Sequence, residues 1–259
     1  MRIEEKTHFI GGVGYWVKNI QVGKSSDQPT LIFLHDALGC AATWKDFPEQ
    51  LCQKMQLDGI VYDRQGHGRS DAFDKTRPLD YLEREAWDAL PKLLNYFRIN
   101  KKILIGHSDG ASISLLYESR FCEAEAVVSM AGHVKVEPIT LVGIQAAVHE
   151  FEQAFIFEKL KRYHGEKTRK LVDDWANTWL SKEFRSWNII KHLPNIKCAT
   201  LAIQGAADEY ATESHLWEIS TQIGLNAKPV LLENCGHFPH KEKPEKVIEI
   251  IADFLKPII

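Results

Sequence analysis

Residues 101–119, KKILIGHSDGASISLLYES, decide how the rest of the chain is read. A short apolar run, Ile103-Leu104-Ile105, meets Gly106-His107-Ser108-Asp109-Gly110, and a small-residue helical pattern follows from Ala111 to Leu116. The pattern predicts a buried strand that turns sharply into a helix, with a glycine two residues to either side of a serine. Glycine lets neighbouring backbone pass close to such a corner without a Cβ clash, which leaves the serine hydroxyl exposed at the turn. Two readings of Ser108 are open at this point: a nucleophile, or a helix-capping residue in an ordinary strand-to-helix turn.

Working outward, other strands end in polar residues. Thr30 to Leu34 is a continuous apolar run, as a strand buried on both faces requires, and leads into His35-Asp36-Ala37-Leu38-Gly39. Gly59 to Tyr62 runs into the glycine-rich loop Asp63-Arg64-Gln65-Gly66-His67-Gly68-Arg69-Ser70. Ala126 to Met130 ends in Ala131-Gly132-His133, Thr200 to Ile203 in Gln204 to Asp208, and Val230 to Leu232 in Asn234-Cys235-Gly236-His237. Upstream, Thr7 to Ile20 with Gly11-Gly12 at its centre predicts a β-hairpin, followed by a polar connection from Gly23 to Pro29.

Helical spacing links these strands. Trp44, Phe47 and Leu51 form one apolar stripe, with Thr43 as its expected N-cap. Tyr81 to Phe97 carries a second, with Pro91 placed to kink it. Helices are also expected around Thr212 to Ile223 and from Pro244, a good first helical residue, to Leu255. From 134 to 194 the strand rhythm stops. About four short helices rich in Trp and Phe are expected there as an insertion over the strand ends. Lys159-Leu160-Lys161-Arg162 and Lys167 to Lys170 read as solvated helix faces. Strands alternating with helices predict a mostly parallel sheet with helices on both sides, and ligands in such sheets bind beyond the carboxyl ends of the strands.

With 259 residues, one α/β domain carrying an insertion is the simplest division: 1–133 with 195–259 as core, and 134–194 as the inserted unit. A net charge of −3 gives no reason to expect nucleic acid or an anionic membrane as partner. Five cysteines without CxxC spacing predict reduced thiols, and the early acidic residues argue against a secretory signal, so a cytoplasmic location is expected. No apolar stretch reaches the ~18–20 residues a bilayer span needs. The histidines show no metal spacing, and Gly66-His67-Gly68 lacks a dinucleotide-binding pattern, so neither metal nor cofactor is expected. Monomer and homodimer are both left open.

The order Ser108, Asp208, His237 supplies a nucleophile, an orienting acid and a base. A serine hydroxyl is a poor nucleophile near neutrality and needs a base in hydrogen-bond reach, which an imidazole of pKa roughly 6.5 provides. Glu209 is the rival acid beside Asp208. Together with the blocks at 35–39, 63–70, 106–110, 204–208 and 235–237, this order makes the chain resemble the α/β-hydrolase superfamily. The resemblance implies a mostly parallel eight-stranded sheet flanked by helices, a helical cap insertion, and a serine hydrolase of esterase type acting on a small acyl substrate with water. It further implies an oxyanion hole from the backbone N–H groups of Ala37 and Asp109, with Asp36 standing where the family usually has glycine. His35, Asp36, His133, Tyr210 and Phe238 are the candidates for the substrate pocket. The Asp109 carboxylate has two readings: an acid favouring the positive end of its helix, or a partner for a substrate ammonium like the acid after the serine in valacyclovir-hydrolase-like enzymes. The same triad also serves carbon–carbon bond hydrolases, thioesterases, lactonases and perhydrolases, and a non-catalytic ligand receptor on the same fold is the reading furthest from these.

Overall fold

A computed structural model of the chain describes residues 1–23 and 27–259. The middle of the expected connection between Gly23 and Pro29 lies outside the described residues. The described strands form one eight-stranded sheet in the order β1-β2-β4-β3-β5-β6-β7-β8. β1 (Arg2–Ile10) and β2 (Val13–Gln21) make the expected hairpin, and β2 pairs antiparallel with β4 (Gly59–Tyr62). Gly11 and Gly12 both take positive φ, the conformation that a two-residue turn between right-twisted strands demands. β3 (Thr30–Leu34), β5 (Lys102–His107), β6 (Ala126–Met130), β7 (Ala199–Gly205) and β8 (Ala227–Leu232) all run parallel.

The continuous apolar runs divide by alternation between two cores. Ile32, Leu34, Leu104 and Val127 face one side, where they meet Leu90, Leu94, Ile113, Leu116 and Leu216. Leu31, Phe33, Ile103, Ile105 and Val128 face the other, against α1 (Phe47–Met55) and the last helix (Pro244–Leu255). Burying a Val, Leu or Ile fully contributes roughly 1.5–3 kcal/mol, so strands with two buried faces hold the sheet from both sides.

The structure corrects or refines three local expectations. Thr43 does not cap the helix at Phe47. It lies in a separate 3₁₀ turn, Ala41–Trp44, where its hydroxyl donates to the Cys40 carbonyl, and Asp46 precedes α1. Pro91, expected to kink the crossover helix, follows a π-helical turn within it. α2 (Tyr81–Arg84) passes into a π-helical turn, Glu85–Ala89, and then α3 (Leu90–Tyr96); the Leu90 N–H reaches back five residues to the Glu85 carbonyl. The wider turn just ahead of Pro91 absorbs the missing proline N–H. Where about four short helices are expected between β6 and β7, there are three α-helices, α5 (Pro138–Phe151), α6 (Ala154–His164) and α7 (Thr168–Leu180), and three short 3₁₀ segments, one between α6 and α7 and two after α7. They lie over the carboxyl ends of the strands. Among the described residues, no helix is long and apolar enough to cross a membrane.

Candidate active site

The turn after β5 is built as its sequence requires. Ser108 has φ 53° and ψ −118°, and α4 (Asp109–Phe121) begins at the next residue. A Cβ on Gly106 would stand 2.3 Å from the Gly110 carbonyl oxygen, and one on Gly110 would stand 2.0 Å from that of Leu34. Only glycine fits at either place. Ser108 occupies the N-cap position of α4, but its side chain makes no capping hydrogen bond, so the hydroxyl is available elsewhere.

That hydroxyl lies 3.0 Å from Nε2 of His237, in the loop after β8. His237 Nδ1 is 2.9 Å from both carboxylate oxygens of Asp208, in the loop after β7. An ionised carboxylate only accepts, so Nδ1 carries the proton and Nε2 turns its lone pair to Ser108. Asp208 is held in turn by the Gln204 amide and by the Tyr210 N–H at 2.9 Å. Glu209, the rival acid, instead accepts from the His237 backbone N–H. Burial works against the His237 imidazolium, but the charge and hydrogen bond of Asp208 outweigh it and hold the ring above its usual pKa. Burial also opposes the Asp208 carboxylate, and the His237 ring, by charge and hydrogen bond, leaves its pKa below the usual value.

Among the described residues, no hydrogen bond engages the N–H of Ala37 or of Asp109. The direction of the first follows from a constraint one atom away. A trans peptide is planar, so fixing the Asp36 carbonyl fixes the Ala37 N–H on the opposite side. The Asp36 carbonyl accepts from Arg64 Nη2 at 2.8 Å and from His35 Nδ1 at 2.8 Å. The next two carbonyls are held as well, with His67 Nε2 3.0 Å from the Ala37 oxygen and His164 Nε2 2.9 Å from that of Leu38. Asp36, placed where glycine is usual, needs no left-handed backbone. Its carboxylate faces the ring of His107 at 3.6 Å, and its pKa falls well below the usual range: burial opposes the charge, and His107 and Lys241 more than offset it.

A cavity of about 230 Å³ opens above Ser108. Asp36, His133, Tyr210 and Phe238 line it, together with Ile144, Phe151, Leu160, Trp175 and Trp179 from the inserted helices. His35 does not belong to it. The ring is 1 % exposed, and its Nε2 accepts the Arg64 N–H at 3.1 Å, making it a strut beneath the loop rather than a pocket wall. His133 is kept neutral, its pKa pushed down to about 3 by burial and by the neighbouring His215 and His237.

The Asp109 carboxylate has a protein partner that neither sequence reading foresaw. Tyr81 donates its hydroxyl to Oδ2 at 2.8 Å and itself accepts from Trp179 Nε1 at 2.9 Å, while Arg64 Nη2 stands 3.9 Å away. Burial raises the pKa of Asp109, with Arg64 and Tyr81 opposing. Tyr81 could be read as helix core and Trp179 as part of an aromatic cluster, but no sequence spacing joins residues 98 positions apart. Lys167, expected on a solvated face, instead points its ammonium at the carbonyls of His67, Gly68 and Ser70.

Several known proteins share this plan. 3-Oxoadipate enol-lactonase 1 of Acinetobacter baylyi is 23% identical over 257 residues, covering 93% of each chain. Serine hydrolase BPHL of Homo sapiens is 25% identical over 245 residues, covering 87% of this chain and 79% of that protein. Among solved structures, the enol-lactonase from Burkholderia xenovorans superposes with a TM-score of 0.75 at 15% identity, covering 96% of this chain and 99% of that one. The profile of the alpha/beta hydrolase family matches residues 31–250. With its sheet order, its strained serine after β5 and that match over most of its length, the chain belongs to the alpha/beta hydrolase family.

Proposed function

We propose that the protein is a serine hydrolase cleaving a small ester-type substrate through an acyl-enzyme on Ser108. The observation that carries this reading is the unbroken chain from Ser108 Oγ through both ring nitrogens of His237 to Asp208, with every contact at 3.0 Å or less. Ser108 Oγ attacks the acyl carbon while His237 Nε2 takes its proton. The carbonyl oxygen becomes an oxyanion facing the N–H groups of Ala37 and Asp109, at the positive end of α4. Collapse of the tetrahedral adduct breaks the bond to the leaving oxygen, which receives the proton from His237. Water then attacks the acyl-enzyme by the same route and regenerates Ser108. Asp208 orients the ring and stabilises the imidazolium without taking the proton.

Ser108→Ala is expected to lower kcat for small p-nitrophenyl esters by about 10⁶-fold and to abolish labelling by a fluorophosphonate probe. Undiminished turnover in that variant rules the mechanism out. A lactone is the second reading of the substrate, favoured by the end-to-end match to an enol-lactonase. The chemistry of Ser108 is the same, but the leaving group stays tethered to the acyl part. Comparing kcat/KM across esters, thioesters, lactones and dienoates of matched size separates these substrates.

A further inference from the structure

On the far side of Asp109 and Tyr81 lies a second cavity of about 70 Å³, lined by Arg64, His67, Phe73, Arg77, Tyr81 and Glu85 among others. It shares no wall residue with the cavity over Ser108. Three of its residues carry buried polar atoms with no hydrogen-bond partner among the described residues: Arg64 Nη1, Arg77 Nη1 and Glu85 Oε2. Arg64 is 2 % exposed, and Arg77 is fixed with its guanidinium 4.9 Å from the centre of the Tyr81 ring. A guanidinium stays charged under all ordinary conditions, and leaving its donors dry and unpaired is costly, so such atoms mark a place for an acceptor. The third arginine in the wall, Arg84, is engaged by Asp80 at 2.8 Å, and Glu85 is the sole acid among the wall residues.

We propose that this cavity binds a small oxyanion, a carboxylate or inorganic phosphate, between the guanidinium groups of Arg64 and Arg77, with the carboxyl group of Glu85 as third partner. The unpartnered Nη1 of each guanidinium offers a charge-assisted donor to the oxygens of such an anion. Burial favours the neutral form of Glu85, against the opposing pull of Arg64 and Arg77, and a neutral carboxyl can donate to the anion. The site is distinct from the one where acyl chemistry is proposed, but Arg64 belongs to both. Its Nη2 holds the Asp36 carbonyl that aims the Ala37 N–H. An anion on Nη1 therefore braces the same side chain from behind.

The test reads binding without turnover, so its failure is separable from failure of the hydrolase reading. Thermal unfolding of the whole chain is followed while sodium acetate or sodium phosphate replaces sodium chloride at constant ionic strength and pH. A saturable rise in Tm with acetate or with phosphate is expected, and whichever ion produces it identifies the class. Arg77→Gln should weaken that response at least about tenfold, while Glu85→Gln, which keeps a neutral donor at the same place, should leave it within about threefold. A response retained in Glu85→Gln shows that the fold tolerates a change in this wall, so a loss in Arg77→Gln is a loss of the anion's partner. No saturable response from either anion, with only ordered water in this cavity of a crystal grown in their presence, overturns the proposal. A response that Arg77→Gln leaves intact overturns it equally, and loss of binding in Glu85→Gln overturns the role of Glu85 as a neutral donor.

Discussion

At Asp208 two carboxylate oxygens share one imidazole N–H, and the arrangement sets both the tautomer and the basicity of His237. In the proposed mechanism His237 must be neutral to accept the Ser108 proton, and its pKa lies above the usual 6.5 because Asp208 outweighs burial. Activity should therefore rise with pH through a midpoint above 6.5, which a kcat/KM profile from pH 5 to 9 reads directly. Asp208→Asn removes the largest raising influence and leaves burial opposed only by the charges of Glu209 and Asp36, so the midpoint should move to lower pH while kcat falls by about 10⁴-fold. An unmoved midpoint would show that some other group titrates. Ser108, Asp208 and His237 were legible in the sequence because each follows an apolar run whose end is easily seen. Arg64 and Tyr81 were not legible as neighbours of Asp109, since a contact between distant helices and loops leaves no local spacing. His35 was misplaced for a related reason: its position past a strand end was visible, but the direction of its ring was not.

Among the elements, α6 and the start of α7 are fastened to the core by two side chains. His164 Nδ1 accepts the Gly68 N–H at 2.9 Å while Nε2 donates to the Leu38 carbonyl, and Lys167 collects three carbonyls of the glycine loop. The inserted helices thus hold the loop that carries the Ala37 N–H. His164→Ala strands a buried donor and a buried acceptor, so denaturant unfolding should show a loss of about 1–3 kcal/mol. For the same variant kcat is expected to fall with KM little changed, because the loop loses one of its fixed carbonyls while the cavity wall stays. An equal rise in KM without loss of kcat would place His164 in substrate binding instead. A sequence read by periodicity assigns Lys167 to solvent, since helical spacing reports which face a residue shares and not what a long side chain can reach across a loop. The same limitation concealed the π-helical turn before Pro91. The proline was visible, but the way the backbone absorbs it was not.

For the molecule as a whole, the mostly parallel sheet and the alternation of strands and helices followed from the rhythm of apolar runs, while the order of the strands and the protonation of the interior did not. His35, His67, His133 and His240 are all buried and kept neutral, chiefly by desolvation. In the unfolded chain each titrates near the usual value of about 6.5, so below that pH the unfolded state binds protons that the folded state refuses. Their contribution is intact above about pH 6.5 and is lost as the pH falls below it, each costing up to about 1.4 kcal/mol per pH unit. His237, whose pKa is raised, acts in the opposite sense but is one group against these four and against buried His107, His164 and His215, whose pKa values burial also lowers. The urea midpoint should drop steeply between pH 7 and 5.5, well before ordinary carboxylates titrate. A stability flat across that range, with no proton uptake on unfolding, would contradict the burial of neutral rings.

The fastening of α6 and α7 also bears on how such a chain can diverge. β6 and β7 are adjacent parallel strands, so the sheet itself accepts an exchanged segment between them without a change of register. A graft that brings new cavity walls but no equivalent of His164 and Lys167 leaves the Leu38 carbonyl, the Gly68 N–H and three loop carbonyls without the groups that now meet them. Under the proposed function, cavity walls and the bracing of the oxyanion loop travel together in one segment, and a working transplant has to carry both.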